Sequence, residues 1–233
     1  KRVRPLRQQR QPQYLESGAV YVMRVPGFLQ ARHRFFGKTV LYEMPPERRL
    51  EIDDPVDFKV AETLMRSQAE QRKSARLPQV IAALILDFDG VFTNNKVIVQ
   101  QDGREAVVCD RSDGWGIGQL KKTGLPILVL STEPNPVVRA RADKLGLPCL
   151  QNISDKWSVL AAWLAERGIE PQQVVYVGND ANDLECMRHV GCAVAPADAY
   201  PEALSAAQII LEHKGGDGAI REICELILKH IRS

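Results

Sequence analysis

Residues 78–233 predict an α/β domain built on a parallel sheet, and three observations carry that expectation. Apolar runs rich in β-forming residues recur at Val80–Leu86, Pro126–Leu130, Val174–Val177 and Gly191–Val194, with a weaker one at Ala207–Leu211. Helix-like stretches separate them, at Gly114–Lys122, Pro136–Leu145, Lys156–Arg167, Asn182–His189 and Ala219–Ile231. The runs are continuously apolar instead of alternating, as central strands covered on both faces require. Strands joined through helices give βαβ units, with the sheet in the middle layer.

One stretch breaks the alternation. Lys96–Val108 holds two β-type runs around Gln101-Asp102-Gly103, and Asp-Gly is a strong hairpin signal. It follows the first strand directly, so a small flap over that strand's carboxyl end is expected. There is no room for a large cap domain. Before residue 78 the pattern is weaker, with a helix expected over Val56–Arg66. The polar, charged segment Gln68–Pro78 precedes the first strong apolar run and marks a boundary, giving domains 1–77 and 78–233.

Composition excludes several classes. The chain is 45% apolar and 26% charged, which suits a globular protein with a real core. No window approaches the roughly 18 apolar residues of a helical membrane span, and KRVRPLRQQRQPQ lacks the apolar stretch of a signal peptide. A cytoplasmic location with no membrane partner is expected. Cys109, Cys149, Cys186, Cys192 and Cys224 are odd in number and show no C-x-x-C spacing, so free thiols are expected in place of disulfides or zinc. Residues 1–77 hold 16 Lys and Arg against 9 Asp and Glu, and residues 78–233 hold 15 against 20. The basic excess is spread out and lacks a recognition motif. A solvated face or a subunit contact fits it better than nucleic acid does.

Four pieces fall at the carboxyl ends of expected strands or at a helix start, where open α/β sheets bind their ligands. Asp87-Phe88-Asp89-Gly90 follows ALIL, and its two carboxylates at i and i+2 can turn toward one bound ion. Asp and Gly are also ordinary turn residues. Ser131-Thr132 follows ILVL and offers a hydroxyl to a phosphate oxygen, or equally a helix N-cap. Lys156 opens a helix and could neutralise phosphate, although a lone lysine is usually surface decoration. Gly178-Asn179-Asp180-Ala181-Asn182-Asp183 follows VVYV and supplies the hard oxygen donors that Mg²⁺ prefers.

This ordered set, D-x-D-G, then Ser/Thr, then Lys, then an acidic cluster, resembles the haloacid dehalogenase superfamily of phosphatases across about 150 residues. The resemblance implies a Rossmann-like fold and an aspartyl-phosphate mechanism. Asp87 would attack phosphorus, and Asp89 would protonate the leaving oxygen and later activate water. Ser131 and Lys156 would clamp the phosphoryl group. Mg²⁺ would be held by Asp87, the backbone carbonyl of Asp89, and Asn179, Asp180 and Asp183. Gly90, Thr132 and Glu133 are carried over as substrate-binding positions. Many relatives have Gly-Asp-Asp in the last motif, where Asn179 stands here, so weaker metal binding is expected. Asp110–Ile117, the hairpin and Gly215–Glu222 are similar to the small-cap branch containing 3-deoxy-manno-octulosonate 8-phosphate phosphatases. That branch is typically tetrameric, which implies a homo-tetramer. In those enzymes an Arg commonly follows the second motif, and Glu133 in its place points toward a nine-carbon, sialic-type sugar phosphate.

Glu16–Val22, Arg34–Lys38 and Glu51–Phe58 resemble the C-terminal part of acylneuraminate cytidylyltransferases. This implies a metal-binding carboxylate at Asp53 and a sugar-pocket and dimer role for Arg34-Phe35-Phe36. The plainer readings are core packing for Phe35 and Phe36, and an acidic helix start at Asp53–Asp57. That family's Gly/Arg/Lys nucleotide loop is missing from these residues, so a partial nucleotidyltransferase domain within a longer fused enzyme is expected. Three functions stay open: a nonulosonate 9-phosphate phosphatase, a weak or inactive phosphatase-like oligomerisation module, and a 3-deoxy-manno-octulosonate 8-phosphate phosphatase.

Overall fold

Strands and helices alternate through the second unit of the chain. The computed structural model describes Tyr14 and residues 16–232. The basic stretch 1–13, expected to lack a signal peptide, lies outside them. Residues 1–67 and 68–233 form two compact units.

In the first unit the described residues include none that is buried. A short helix α1 (Val25–Ala31) is followed by an extended segment and by the start of α2 (Pro55–Ser74). Asp54 and Asp57 build the amino end of α2 reciprocally. Asp54 Oδ1 accepts from Val56 N and Asp57 N, while Asp57 Oδ2 accepts from Asp53 N and Asp54 N. The helix start read from this acidic cluster is therefore present. Expected to stop near Arg66, α2 runs on to Ser74, because the Gln, Ala, Glu, Arg and Lys of the polar stretch are good helix formers.

In the second unit six parallel strands lie in the order β5-β4-β1-β6-β7-β8. They are β1 (Ala83–Leu86), β4 (Ile127–Leu130), β5 (Cys149–Leu150), β6 (Val174–Val177), β7 (Cys192–Ala195) and β8 (Ile209–Ile210). The four longer strands are buried at every position, as their unbroken apolar runs require. The side-chain period of two sends Leu84 and Leu86 to one face and Ala83 and Ile85 to the other. The first face packs against α3 (Arg111–Lys121), α4 (Pro136–Leu145) and α8 (Ala219–Arg232), the second against α5 (Lys156–Glu166), α6 (Leu184–His189) and α7 (Pro201–Ala206). Each fully buried Leu or Ile contributes about 1.5–3 kcal/mol, so these two clusters dominate the stability of the unit. Among the described residues no helix is long and apolar enough to cross a membrane.

Several boundaries move. The first strand starts at Ala83, and Val80 is exposed. The edge strand β5 and the short helix α7 escaped notice because two and six residues carry too little periodicity. Helix α3 begins at Arg111 and not Gly114, with Asp110 Oδ1 accepting from Ser112 N at 2.6 Å as its cap. Its glycines read as poor helix formers, but Gly116 is where α3 meets α8, and a Cβ there would lie 3.0 Å from Arg221 Cδ. The amino end of α8 is capped from a distance: Asp113 on α3 accepts from Arg221 N at 2.9 Å.

The expected hairpin is present. Strands β2 (Ile98–Val99) and β3 (Glu105–Ala106) pair antiparallel, Ile98 opposite Ala106, and a Thr93–Cys109 bridge closes the stem. Its Val97, Ile98 and Val99 are exposed. Strand β1 is central, with β4 and β5 on one side and β6 to β8 on the other, so the loops leaving β1, β4 and β6 converge at the carboxyl end of the sheet.

Candidate active site

Asp87 sits at the carboxyl end of the central strand, where its N–H donates to Val177 O at 3.0 Å and extends the ladder with β6. The next residues turn sharply. Phe92 N donates to Phe88 O at 2.8 Å, and the stacked rings of Phe88 and Phe92 are buried in the core. Anchoring these two aromatics leaves Asp87 and Asp89 on the opposite side of the loop. Gly90 has φ +76°, and a Cβ there would overlap the side-chain amide of Asn179, so only glycine serves. Gly216 N donates to Val91 O at 3.1 Å, which places the Gly215–Gly218 turn against this loop.

Lys156 is the first residue of α5, capped by Asp155, and it is buried. Its Nζ lies 2.8 Å from Asp87 Oδ1 and 2.7 Å from Asp183 Oδ1. Asp183, fully buried, accepts four hydrogen bonds. Oδ1 takes Lys156 Nζ and the Tyr176 hydroxyl (2.6 Å), and Oδ2 takes the N–H groups of Asn179 (2.8 Å) and Asp180 (3.3 Å). Burial pushes the Tyr176 hydroxyl well above its usual range, so it remains a donor.

Burial also pushes Asp87 up to about 8, with the Asp183 charge adding to it and Lys156 opposing it. For Lys156, burial works against the charge, but the two carboxylates outweigh it and raise the pKa. A 2.8 Å contact with an ammonium makes the ion pair the form we assign. One ammonium between two buried carboxylates leaves one negative charge without a counter-ion. Asp89 is half-buried, and its pKa is raised, first by desolvation and next by the charge of Glu133, with Glu105 adding a further rise. A carboxyl of raised pKa suits a proton donor.

The remaining expected residues take distinct places. Ser131 is buried, and its Oγ accepts from Glu133 N at 3.1 Å, which leaves its O–H to donate. Thr132 Oγ1 accepts from Asn182 Nδ2 at 3.3 Å and joins the β4 loop to the β6 loop. Glu133 Oε1 accepts from Asn135 N at 2.8 Å. Gly90 N is bonded to Thr93 Oγ1. Asp180 Oδ1 is engaged with Ala181 N at 2.6 Å. Asn179 is buried, and its side-chain amide lies against Gly90. Asp53, in the first unit, is exposed.

Sequence reasoning missed Tyr176, Thr93, Asn135 and Glu105. A tyrosine inside a buried strand needs a partner for its hydroxyl, and that signal was available. Asn135 and Glu105, joined at 2.8 Å, carried none.

Among the described residues no three His, Cys, Asp or Glu side chains converge as a metal site. Asp183 is saturated, and the residue against the Asp87–Gly90 loop is the amide of Asn179. The donors present still fit a hard cation. They comprise a carboxylate with excess negative charge beside it and the side-chain amide of Asn179 against the same loop.

Comparison with known proteins places this geometry. A family model for haloacid dehalogenase-like hydrolases matches residues 148–223. The zebrafish N-acylneuraminate cytidylyltransferase A is 31% identical over 97% of this chain, and the chain spans about half (52%) of that protein. The Yersinia pestis 3-deoxy-D-manno-octulosonate 8-phosphate phosphatase KdsC is 36% identical over 64% of this chain and 80% of its own length. Among solved structures, a haloacid dehalogenase family hydrolase from Streptomyces avermitilis is 50% identical with a TM-score of 0.64, covering 65% of this chain and 87% of its own. The Moraxella catarrhalis octulosonate 8-phosphate phosphatase, in complex with magnesium, phosphate and the sugar, is 28% identical with a TM-score of 0.64 over 67% and 90%. The chain belongs to the haloacid dehalogenase-like hydrolases and, within them, to the phosphatases related to KdsC.

Proposed function

We propose that residues 78–233 hydrolyse a nonulosonate, sialic acid-type 9-phosphate through an aspartyl-phosphate on Asp87, in a cytoplasmic polypeptide that also carries an acylneuraminate cytidylyltransferase, of which residues 1–77 are the C-terminal part. The observation that carries the phosphatase chemistry is Lys156 Nζ held between Asp87 and Asp183. An ammonium in that place keeps Asp87 ionised and meets the charge on the phosphoryl oxygens. Asp87 attacks phosphorus, an O–P bond forms, and the sugar–oxygen bond to phosphorus breaks as Asp89 delivers a proton to the leaving oxygen. Asp89, now a carboxylate, takes a proton from the water that cleaves the aspartyl-phosphate, releasing phosphate and restoring Asp87. The Ser131 hydroxyl donates to a phosphoryl oxygen, and Thr132 and Glu133 line the approach. Asp87, the backbone carbonyl of Asp89, and Asn179 are the groups that would hold Mg²⁺. Asp180 is at the periphery, and Asp183 acts as the positioner of Lys156. Bound there, the ion supplies charge neutralisation for the phosphoryl group.

The sugar assignment rests on Glu133, whose charge raises the pKa of Asp89. The second reading, 3-deoxy-D-manno-octulosonate 8-phosphate as substrate, is favoured by the likeness to KdsC over 80% of that protein. Exposed Val97, Ile98 and Val99 on the hairpin are consistent with a subunit contact, as the proposed homo-tetramer needs. Phosphate release with Mg²⁺ from a panel of sugar phosphates, for wild type and Asp87→Asn, tests the proposal. Release from a nine-carbon acid 9-phosphate, lost in the variant, is expected. Silence in both proteins would favour an inactive oligomerisation module.

A further inference from the structure

The hairpin Lys96–Val108 is held to the body of its unit at three places. The Thr93–Cys109 bridge closes its stem, and Val107 packs against the core. The third is a side-chain bond, Asn135 Nδ2 to Glu105 Oε2 at 2.8 Å. Among the described residues it is the one hydrogen bond joining residues 98–106 to the rest of the unit.

Asn135 has other tasks at the same time. Its Oδ1 accepts from Val137 N at 3.1 Å and caps α4. Its N–H donates to Glu133 Oε1 at 2.8 Å, and Glu133 N donates to Ser131 Oγ at 3.1 Å. A continuous chain thus runs from the phosphate-clamping hydroxyl through Glu133 and Asn135 to the hairpin. Asp caps a helix as well as Asn does, so the helix alone does not explain an amide here. What the amide adds is the donor to half-buried Glu105. An aspartate at that place would set two carboxylates against each other.

We propose that Asn135 is a positioning residue that fixes the hairpin beside the phosphate loop through Glu105 and so decides which leaving groups the site accepts. The inference rests on the phosphatase reading above. On this proposal a small phosphoryl donor reacts at Asp87 without reaching the hairpin, whereas a sugar leaving group departing at Asp89 extends toward Glu105 on it. Loss of the bond therefore acts on the leaving group and spares the phosphoryl chemistry.

The experiment measures kcat and KM for acetyl phosphate and for two sugar probes, N-acetylneuraminate 9-phosphate and 3-deoxy-D-manno-octulosonate 8-phosphate, with the full chain and Mg²⁺. Asn135→Asp is expected to lower kcat/KM for the better sugar probe by roughly tenfold or more, mainly through KM, as loss of a hydrogen bond to a charged group implies. Turnover of acetyl phosphate stays unchanged. Adding Glu105→Gln in the same chain supplies a new donor and restores the sugar reaction. Glu105→Asp, which draws the carboxylate away from Asn135 while keeping its charge and the α4 cap, gives the same selective loss. Equal loss on both kinds of substrate, no loss on either, or no restoration by the double substitution overturns the proposal. A wild type without Asp87-dependent release from any probe removes the phosphatase reading, and this inference with it.

Discussion

Two lysines in this chain are each held between two carboxylates, and they differ in what surrounds them. Lys156 lies 2.8 Å from Asp87 and 2.7 Å from Asp183, with all three side chains almost fully buried. Lys73, on the last turn of α2, lies 3.1 Å from Glu212 and 2.9 Å from Glu222, and Glu212 is 74% exposed. Distance barely separates them. Burial does. Water shares the work of neutralising charge at Glu212, and Lys73 and Glu222 keep 19% and 17% of their side-chain surface exposed, so these pairs contribute less than the Lys156 pairs do. Around Lys156 the side chains are at most 5% exposed, so bulk water screens little and each charge depends on the others. The same three-body arrangement is therefore partly solvated in one place and almost fully buried in the other, where we propose the reactive centre.

The contrast is tested most severely at Asp87. Asp87→Asn is expected to lower phosphate release by at least about 10³-fold while the native fold persists, because the nucleophile goes but Lys156 keeps Asp183. Steady-state assays with circular dichroism separate the two, and appreciable residual turnover would remove Asp87 as nucleophile. Next in size, Lys156→Met should cost about 3–5 kcal/mol in urea denaturation, since two buried carboxylates are left facing each other. A loss below 1 kcal/mol would mean that the site is wetter than its burial indicates.

Asp113 offers an intermediate case, a buried carboxylate with no cation in contact and with Oδ2 unpartnered among the described residues. Burial pushes it up to about 6 from 3.8, so the folded state holds the proton more tightly than the unfolded one. Ionised Asp113 thus costs stability above about pH 6, and the cost fades as pH falls toward 4. Relative to Asp113→Asn, wild type should gain up to roughly 3 kcal/mol between neutral pH and pH 4. A stability difference independent of pH would contradict this. Smallest of all, Lys73→Met should change stability by less than about 1 kcal/mol. A larger loss would put the Lys73 network in the same class as Lys156.

Much of the sheet could be read from the chain, because unbroken apolar runs such as VVYV have few alternatives to a central parallel strand. The loops carrying Asp87, Ser131 and the Gly178–Asp183 segment could be read too, since each follows such a run. What escaped depends on contacts made in three dimensions. Spacing alone did not reveal that Asp183 is saturated, because that follows from which side of the 3₁₀ turn at Ala181–Asp183 faces the core. Nor did it pair Asn135 with Glu105, 30 residues apart in the chain. The end of α2 was misjudged for another reason. Good helix formers that are also polar look the same in a linker and in a solvated helix.

The borrowed cap on α8 has a consequence for how the chain acquires its structure. The position before Ala219 is a glycine, which offers no side chain to the first turn, and the acceptor comes from Asp113, 108 residues earlier. A helix that cannot close its own amino end nucleates poorly until its neighbour is docked. The last helix is therefore expected to gain its stable first turn together with the docking of α3. In pulse-labelling hydrogen exchange its first-turn amides should become protected late, in step with those of α3.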